Sequence, residues 1–160
     1  MYKSFNNIEE FNVYIKSKKI TREIKKIIVH QLWQRKGNTF WGQKSLTGLD
    51  EYYKKKGKGR GFHFCIGKGK IWEFLDLNQQ ADQAVIESVN CNSLAIEVDS
   101  VINERKPSPR DWKLFLKTIN SLMQLFKIEP NMLFLHKEFH DTPCTDFEKE
   151  YLLSELNKIV

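Results

Sequence analysis

Two histidines and one cysteine are the residues of this chain whose types and positions best suit metal chemistry. His30 ends the apolar run IIVH, and His136 ends the apolar run MLFLH. Cys144 follows eight residues after His136, behind a polar stretch. Two imidazoles and one thiolate suit Zn²⁺, and three protein ligands leave a fourth tetrahedral position open for water, as in catalytic zinc sites.

The same three residues also have a purely structural interpretation. Each histidine would then only end a strand, and the cysteine would be an unreactive thiol. No compact ligand motif, such as HExxH or a pair of CxxC motifs, decides between the two in this sequence. The coincidence of two histidines at strand ends favours a site, because α/β proteins build their sites there.

Glu97 is the carboxylate best placed to act beside such a site. In the run SLAIEV, alternation predicts that Leu94, Ile96 and Val98 share one face of a strand. Glu97 then lies on the other face with Ala95, whose small side chain leaves room for a substrate. The competing interpretation is a glutamate that faces solvent.

The elements that must position these residues can be predicted from hydrophobic periodicity and cap signals. The predicted strands are Lys26 to Trp33, Phe62 to Ile66, Lys70 to Leu75, Ser93 to Val98 and Met132 to His136. The predicted helices are Ile8 to Lys18, Ser45 to Lys56, Pro107 to Ile128 with a cap at Ser108 and Asp111, and a last helix after a cap at Thr145 and Glu148. Gly67-Lys68-Gly69 predicts a hairpin between the second and third strands. The expected fold is a single α/β domain, a central mixed β-sheet flanked by helices.

Length and composition exclude several classes of protein. The chain has 160 residues, 41% of them hydrophobic and 29% charged, which is typical of one globular domain. No apolar run approaches the roughly 20 residues that cross a bilayer. An odd number of cysteines and a start without a secretory leader predict synthesis in the cytoplasm, with reduced thiols. We also expect a monomer.

The net charge of +6 makes anionic polymers plausible partners. The densest basic stretch, Lys54 to Arg60, could contact the phosphates of a nucleic acid. Its lysines are not interleaved with aromatic residues, however, and a run this short is more often a solvated connection between two elements. Nucleic acid is therefore not the expected partner.

Four segments in a fixed order carry a family resemblance. IIVH is followed by GFHF with IGKGKIWE, then by NSLAIEV, and finally by LHKEFHDTPC. This order resembles the zinc-dependent N-acetylmuramoyl-L-alanine amidases of type 2, which include phage lysozyme-type amidases and peptidoglycan recognition proteins. The resemblance covers about residues 25 to 150. It implies the amidase fold for a catalytic core at 25–160, with residues 1–24 as an N-terminal helical extension.

The resemblance also implies a ligand set and an activity. His30, His136 and Cys144 match the zinc ligands, and the implied reaction cleaves the amide bond between N-acetylmuramic acid and the L-alanine of the stem peptide. Thr142 matches a residue that contacts the reacting carbonyl oxygen. Glu97 matches a glutamate near the metal, and we expect it to act as general base towards a zinc-activated water.

Two positions depart from the family pattern. Phe62, in GFHF, stands where many active members carry a tyrosine, and phenylalanine cannot donate a hydrogen bond. Gln83 stands where relatives often have a histidine. We expect Phe62, His63 and His140 to contact the substrate, although His63 could equally be a satisfied buried histidine and His140 a surface residue.

The partner implied by the resemblance is peptidoglycan or a soluble muropeptide. Because we expect synthesis without a leader, the enzyme would act on the cell wall after release or export by other machinery, or on wall fragments in the cytoplasm. The main alternative is a module of the same fold that binds peptidoglycan without cleaving it, which the Phe62 departure favours.

Overall fold

In the part of the chain that the structure describes, residues 1–32, 40–84 and 86–159, six strands form one mixed β-sheet. The structure is a computed structural model. The strands are β1 (Ser4–Phe5), β2 (Lys26–Leu32), β3 (Phe64–Gly67), β4 (Lys70–Glu73), β5 (Ser93–Asp99) and β6 (Leu133–Leu135). Trp33, the last residue of the first predicted strand, lies outside the described residues.

Five helices accompany the sheet over the same described ranges. They are α1 (Ile8–Ser17), α2 (Gln43–Lys55), α3 (Glu87–Asn90), α4 (Pro109–Phe126) and α5 (Lys149–Asn157). The predicted class, a single α/β domain with a central mixed sheet flanked by helices, is confirmed. None of the described helices is both long enough and apolar enough to cross a membrane.

The centre of the sheet is parallel. The strand order is β1-β4-β3-β5-β2-β6, and within it the strands β3, β5, β2 and β6 run parallel to one another. Strands β1 and β4 complete one side in antiparallel pairing. Since parallel strands end at the same edge, the residues that follow β2, β5 and β6 are brought together there.

The alternation predicted for β5 is confirmed by its packing. Leu94, Ile96 and Val98 belong to the larger core, which also contains residues of α1, α4 and α5. Ala95 packs in a smaller core on the other face, with Leu46 of α2. Because side chains alternate along a strand, Glu97 lies on the same face as Ala95, the one that α2 covers.

The predicted hairpin is confirmed as a two-residue turn. Strands β3 and β4 pair as far as Gly67 and Lys70, so Lys68 and Gly69 form the turn. Both turn residues have a positive φ, 57° and 68°, as a type I′ turn requires. The Gly69 N–H donates to Asp111 Oδ1 over 2.6 Å, which fixes the turn against the first residues of α4.

One predicted helix cap is confirmed and the other is wrong. Ser108 Oγ accepts from the Asp111 N–H over 3.1 Å and caps α4. Helix α5, by contrast, begins at Lys149 without a side-chain cap, and Thr145 is buried with no hydrogen-bond partner for Oγ1. The residues on both sides of Thr145 are instead held against β2, where the Gln31 N–H donates to the Cys144 carbonyl and Gln31 Oε1 accepts from the Asp146 N–H.

The N-terminal segment joins the sheet and the larger core. Asn7 caps α1 by accepting from the Glu10 N–H over 2.9 Å, close to the predicted start. Phe11 and Ile15 of α1 pack in the larger core. Strand β1 is too short for periodicity to predict. The division into an extension at 1–24 and a catalytic core at 25–160 stays a prediction.

The basic stretch Lys54 to Arg60, which begins in the last turn of α2, forms ion pairs at its first and last residues. Lys54 Nζ lies 2.8 Å from Asp50 Oδ2, and Arg60 Nε lies 2.7 Å from Asp50 Oδ1. Arg60 also donates to the carbonyl of Phe74 over 2.6 Å. The pairing of Arg60 fits the interpretation of this stretch as a connection between elements.

Candidate metal centre

The strand register places the chemically active residues side by side. His30 of β2 pairs with Glu97 of β5 in the parallel register. Val29 pairs with Leu135 of β6, so that His136, the next residue, follows at the same edge as His30. Three strands that are distant in sequence therefore bring the imidazoles of His30 and His136 close to the carboxyl group of Glu97.

Cys144 completes this group because its loop is held against the end of β2. The Gln31 N–H donates to the carbonyl of Cys144 over 3.1 Å. The side chain of Gln31 accepts from the Asp146 N–H over 2.6 Å and donates to Ser100 Oγ over 2.9 Å. The backbone N–H and the side chain of Gln31 thus hold the loop on both sides of Thr145. This places the Cys144 thiol beside the two histidines.

The three side chains are close enough to share one metal ion. Within the described ranges, ligand atoms of His30, His136 and Cys144 all lie within 4.8 Å of one another. His30 Nδ1 lies 3.4 Å from Cys144 Sγ, and the two imidazole centroids are 4.5 Å apart. Ligands of a tetrahedral zinc are separated by about 3.5 Å, given Zn–N and Zn–S bonds of about 2.1 and 2.3 Å. The donor set and its spacing fit Zn²⁺.

Burial controls the protonation of these ligands. Desolvation lowers the pKa of His30 to about 3, with a smaller contribution from His136, and desolvation also lowers the pKa of His136. Burial, together with the charge of Glu97, raises the pKa of the Cys144 thiol to about 12. In the absence of a cation the imidazoles are therefore neutral and the thiol is protonated at pH 7.

Glu97 is a buried carboxyl group without a full set of partners. Its side chain is 8% exposed, and Oε2 has no hydrogen-bond partner. Burial raises the pKa of Glu97 well above its ordinary value. A buried carboxyl and a buried thiol that both resist ionisation are groups that a divalent cation between them would stabilise in the charged form.

A cavity of about 330 Å³ opens over these side chains. Its lining contains the four residues described above together with Gln31, Tyr53, Gly61, Asp82, Gln83, Ile102, Thr142 and Pro143. A larger groove of about 510 Å³ lies between α4 and α5, and none of the described residues that line it is a histidine or a cysteine. The candidate metal ligands and Glu97 line the smaller cavity.

The residues predicted to contact substrate are distributed differently. Thr142 lines the cavity. Phe62 is fully buried in the smaller core, where its ring stacks on Phe74 with the centroids 4.6 Å apart. The ring therefore does not line the cavity, and a contact between Phe62 and the substrate stays a prediction. Phe62 precedes β3, so the alternation that would place it with Phe64 does not extend to it, and the two rings pack in different cores.

His63 and His140 also lie outside the cavity lining. His63 is completely buried, its Nδ1 accepts from the Ala95 N–H over 3.0 Å, and its Nε2 lies 3.0 Å from both the Gln79 carbonyl and Arg22. The interpretation of His63 as a satisfied buried histidine is therefore the one that the structure supports. His140 is exposed, with its ring centroid 6.4 Å from that of His136.

Tyr53 and Gln83 are two of the cavity residues that were not among the predicted site residues. Tyr53 of α2 lines the cavity. A Cβ atom at position 61 would lie 2.5 Å from the hydroxyl oxygen of Tyr53, so a glycine at this position leaves space for the hydroxyl group. Gln83 lies 3.2 Å from His30 Nε2 through its Oε1. Gln83 could have been identified as a site residue from its position in the family pattern, where relatives often have a histidine. No feature of the sequence around Tyr53 indicates that it lies at the site.

Comparison with known proteins agrees with this geometry. A family model for N-acetylmuramoyl-L-alanine amidases matches residues 20–146. Among solved structures, the chain is similar to the endolysin N-acetylmuramoyl-L-alanine amidase LysCS from Clostridium intestinale URNW, with a TM-score of 0.66 and 24% identity over 85% of each chain. A search of the curated proteins finds no match.

Two further solved structures share the fold. The Ph2119 endolysin from Thermus scotoductus MAT2119 bacteriophage Ph2119 has a TM-score of 0.65 and 21% identity, over 91% of this chain and 95% of that chain. Drosophila PGRP-LB has a TM-score of 0.63 and 18% identity, over 79% and 77% of the two chains. The family match spans most of the sequence and includes every residue of the candidate metal centre. On this evidence the chain belongs to the N-acetylmuramoyl-L-alanine amidase family.

Proposed function

We propose that the protein is a zinc-dependent N-acetylmuramoyl-L-alanine amidase, which hydrolyses the amide bond between N-acetylmuramic acid and the L-alanine of the stem peptide. The observation that carries this proposal is the convergence of His30, His136 and Cys144 within 4.8 Å, beside the buried Glu97. The membership of the family and the likeness to endolysin amidases support it.

His30, His136 and Cys144 would hold the zinc ion, which supplies a Lewis acid that polarises a carbonyl and lowers the pKa of water. Glu97 then accepts the proton of the attacking water on its free carboxylate oxygen and returns it to the departing amine nitrogen. Thr142, which lines the same cavity, donates a hydrogen bond to the carbonyl oxygen as negative charge develops there.

Tyr53 supplies the hydroxyl group that the phenylalanine at position 62 lacks. It lines the cavity with Glu97, and its hydroxyl oxygen lies beside the backbone of Gly61. Burial and the neighbouring charge of Glu97 raise the pKa of Tyr53, so the phenol keeps its proton at neutral pH. A protonated phenol can donate to an oxygen of the substrate or of Glu97.

Replacing Tyr53 with phenylalanine should lower kcat for stem-peptide release by about 100-fold, the lower range for removing one donor to a developing charge. Steady-state kinetics on a soluble muropeptide measure the change. Tyr52→Phe, at the preceding residue of α2, which is 52% exposed, is the matched control and should leave kcat unchanged.

A second variant tests whether a tyrosine at position 62 can replace the hydroxyl group of Tyr53. Adding Phe62→Tyr to the Tyr53→Phe protein should not restore activity, because that ring is stacked in the smaller core. Unchanged kcat in Tyr53→Phe would remove this hydroxyl from the reaction, and recovery in the double variant would assign the role to position 62.

The proposed activity is tested by digesting purified peptidoglycan and soluble muropeptides with the whole chain. Mass spectrometry should detect free stem peptides that begin with L-alanine. Release should stop with a chelator and return with added zinc. Binding to the wall without any release would contradict the proposal and favour the alternative, a peptidoglycan-binding module of the same fold. Preference for polymer would indicate action on the wall after release or export, and preference for muropeptides would indicate action on cytoplasmic fragments.

A further inference from the structure

A chain of buried hydrogen bonds runs behind His30, on the side away from Cys144. His30 is 4% exposed, and its Nε2 lies 3.2 Å from Oε1 of Gln83, which is itself 6% exposed. Gln83 Nε2 donates to Ser93 Oγ over 2.6 Å. Ser93 Oγ in turn donates to the Asn90 carbonyl over 3.3 Å. Each member of this chain is buried.

The last acceptor in this series of hydrogen bonds, the Asn90 carbonyl, sets the direction of every hydrogen bond in the series. The Asn90 carbonyl can only accept, so the single hydroxyl proton of Ser93 points to it. Ser93 Oγ must then accept from the amide nitrogen of Gln83, which turns the amide oxygen towards His30. That oxygen can only accept, and therefore Nε2 of His30 carries the ring proton.

The loop that carries Gln83 is held in place independently of His30. The Asn90 side chain bonds both backbone groups of Ala84, accepting from its N–H over 2.9 Å and donating to its carbonyl over 2.7 Å. Asn90 is 3% exposed and lies in α3. The amide of Gln83 is thus anchored by its neighbour in the chain and by Ser93, and it meets His30 from a fixed position.

A neutral imidazole carries one proton, so a proton on Nε2 leaves the lone pair on Nδ1. Nδ1 is the atom that lies 3.4 Å from Cys144 Sγ, on the side of the metal centre. We propose that Gln83 is a positioning residue that holds His30 in the Nε2–H tautomer and thereby directs Nδ1 to the metal. This inference rests on the proposed function and adds to it the identity of the binding atom and the residue that selects it.

The tautomer can be observed in the metal-free protein. Long-range ¹H–¹⁵N correlation spectra at neutral pH distinguish a protonated Nε2 from a protonated Nδ1. We expect His30 to be Nε2–H in the unchanged protein and to become a mixture of tautomers in Gln83→Leu, which has no acceptor. Nδ1–H in the unchanged protein, or an unaltered spectrum of His30 in Gln83→Leu, would overturn the inference.

Zinc affinity, measured by competition with a chromophoric chelator, gives the second readout. Gln83→Leu should weaken zinc binding by about 10- to 100-fold, as the loss of partners that orient a metal-bound histidine does. Gln83→Glu keeps an acceptor for Nε2–H and should recover most of the affinity. Gln80→Leu, at an exposed glutamine three residues earlier, is the matched control and should bind as the unchanged protein does.

Two further measurements distinguish the loss of the hydrogen bond to His30 from damage to the fold. Thermal unfolding of each metal-free variant shows whether the leucine damages the fold, and Ser93→Ala repeats the test by releasing the amide of Gln83 without touching His30. Equal zinc affinity in Gln83→Leu, Ser93→Ala and the unchanged protein would overturn the positioning role. Absence of zinc binding by the unchanged protein would instead contradict the proposed function, since no readout here requires cleavage of peptidoglycan.

Discussion

Replacing Glu97 with glutamine should lower kcat for release of the stem peptide by about 10²- to 10⁴-fold, the range for losing a general acid–base group. Glutamine has nearly the same shape as glutamate but cannot accept and return a proton. Zinc affinity and KM should change little, because the three proposed ligands stay in place. Kinetics on a soluble muropeptide, together with a zinc titration, measure all three quantities.

The stability of this variant separates chemistry from folding. Burial raises the pKa of Glu97, so the ionised carboxylate is unfavourable in the folded protein at neutral pH, and a neutral amide should leave the melting temperature equal or higher. Glu51→Gln, an exposed glutamate of α2, removes the same charge elsewhere and should keep full activity. A Glu97→Gln protein with near-normal kcat would exclude Glu97 as the base.

Replacing Cys144 with serine should weaken zinc binding by more than about 100-fold, beyond what residues that only orient a ligand contribute. A serine hydroxyl keeps its proton where a thiol gives it up to the metal. Turnover at limiting zinc should fall to that of the chelator-treated protein. Cys91→Ser, at an exposed free cysteine, is the matched control. Unchanged zinc affinity in Cys144→Ser would remove the thiol from the ligand set.

The pH dependence of zinc binding gives this prediction a specific signature. The lowered pKa values of His30 and His136 keep both rings mainly neutral between pH 7 and 8. The Cys144 thiol, with its pKa raised to about 12, must lose a proton to bind. Affinity should therefore increase by at least about tenfold per pH unit over this range in the unchanged protein, and the increase should be smaller by about tenfold per pH unit in Cys144→Ser, which has no thiol proton to release.

The parts of the fold that depend on local pattern could be predicted from the sequence. Apolar runs that end in His30 and His136 identify two buried strands, and parallel pairing makes their ends meet. Alternation in β5 places Glu97 correctly, because the strand is regular over its whole length. The signals for α1, α4 and the hairpin are likewise short-range, and each lies close to the observed element.

The parts that depend on packing between distant segments could not be predicted. Tyr53 enters the site from α2 through the space left by Gly61, and Gln83 reaches His30 through a chain of bonds that ends in α3. Neither contact leaves a periodic trace in the sequence. Phe62, the first residue of a predicted strand, lies two residues before β3, and its ring packs in the smaller core, whereas that of Phe64 packs in the larger one.

The two outer strands of the sheet are short, which has a consequence for association between molecules. Edge strands expose unpaired backbone groups that can recruit another chain, and proteins limit this by keeping the edges short. Strand β1 has two residues and β6 has three. Strand β6 ends where the backbone turns into a 3₁₀ helix that begins at His136. The same turn that delivers a proposed zinc ligand thus closes an edge of the sheet to aggregation.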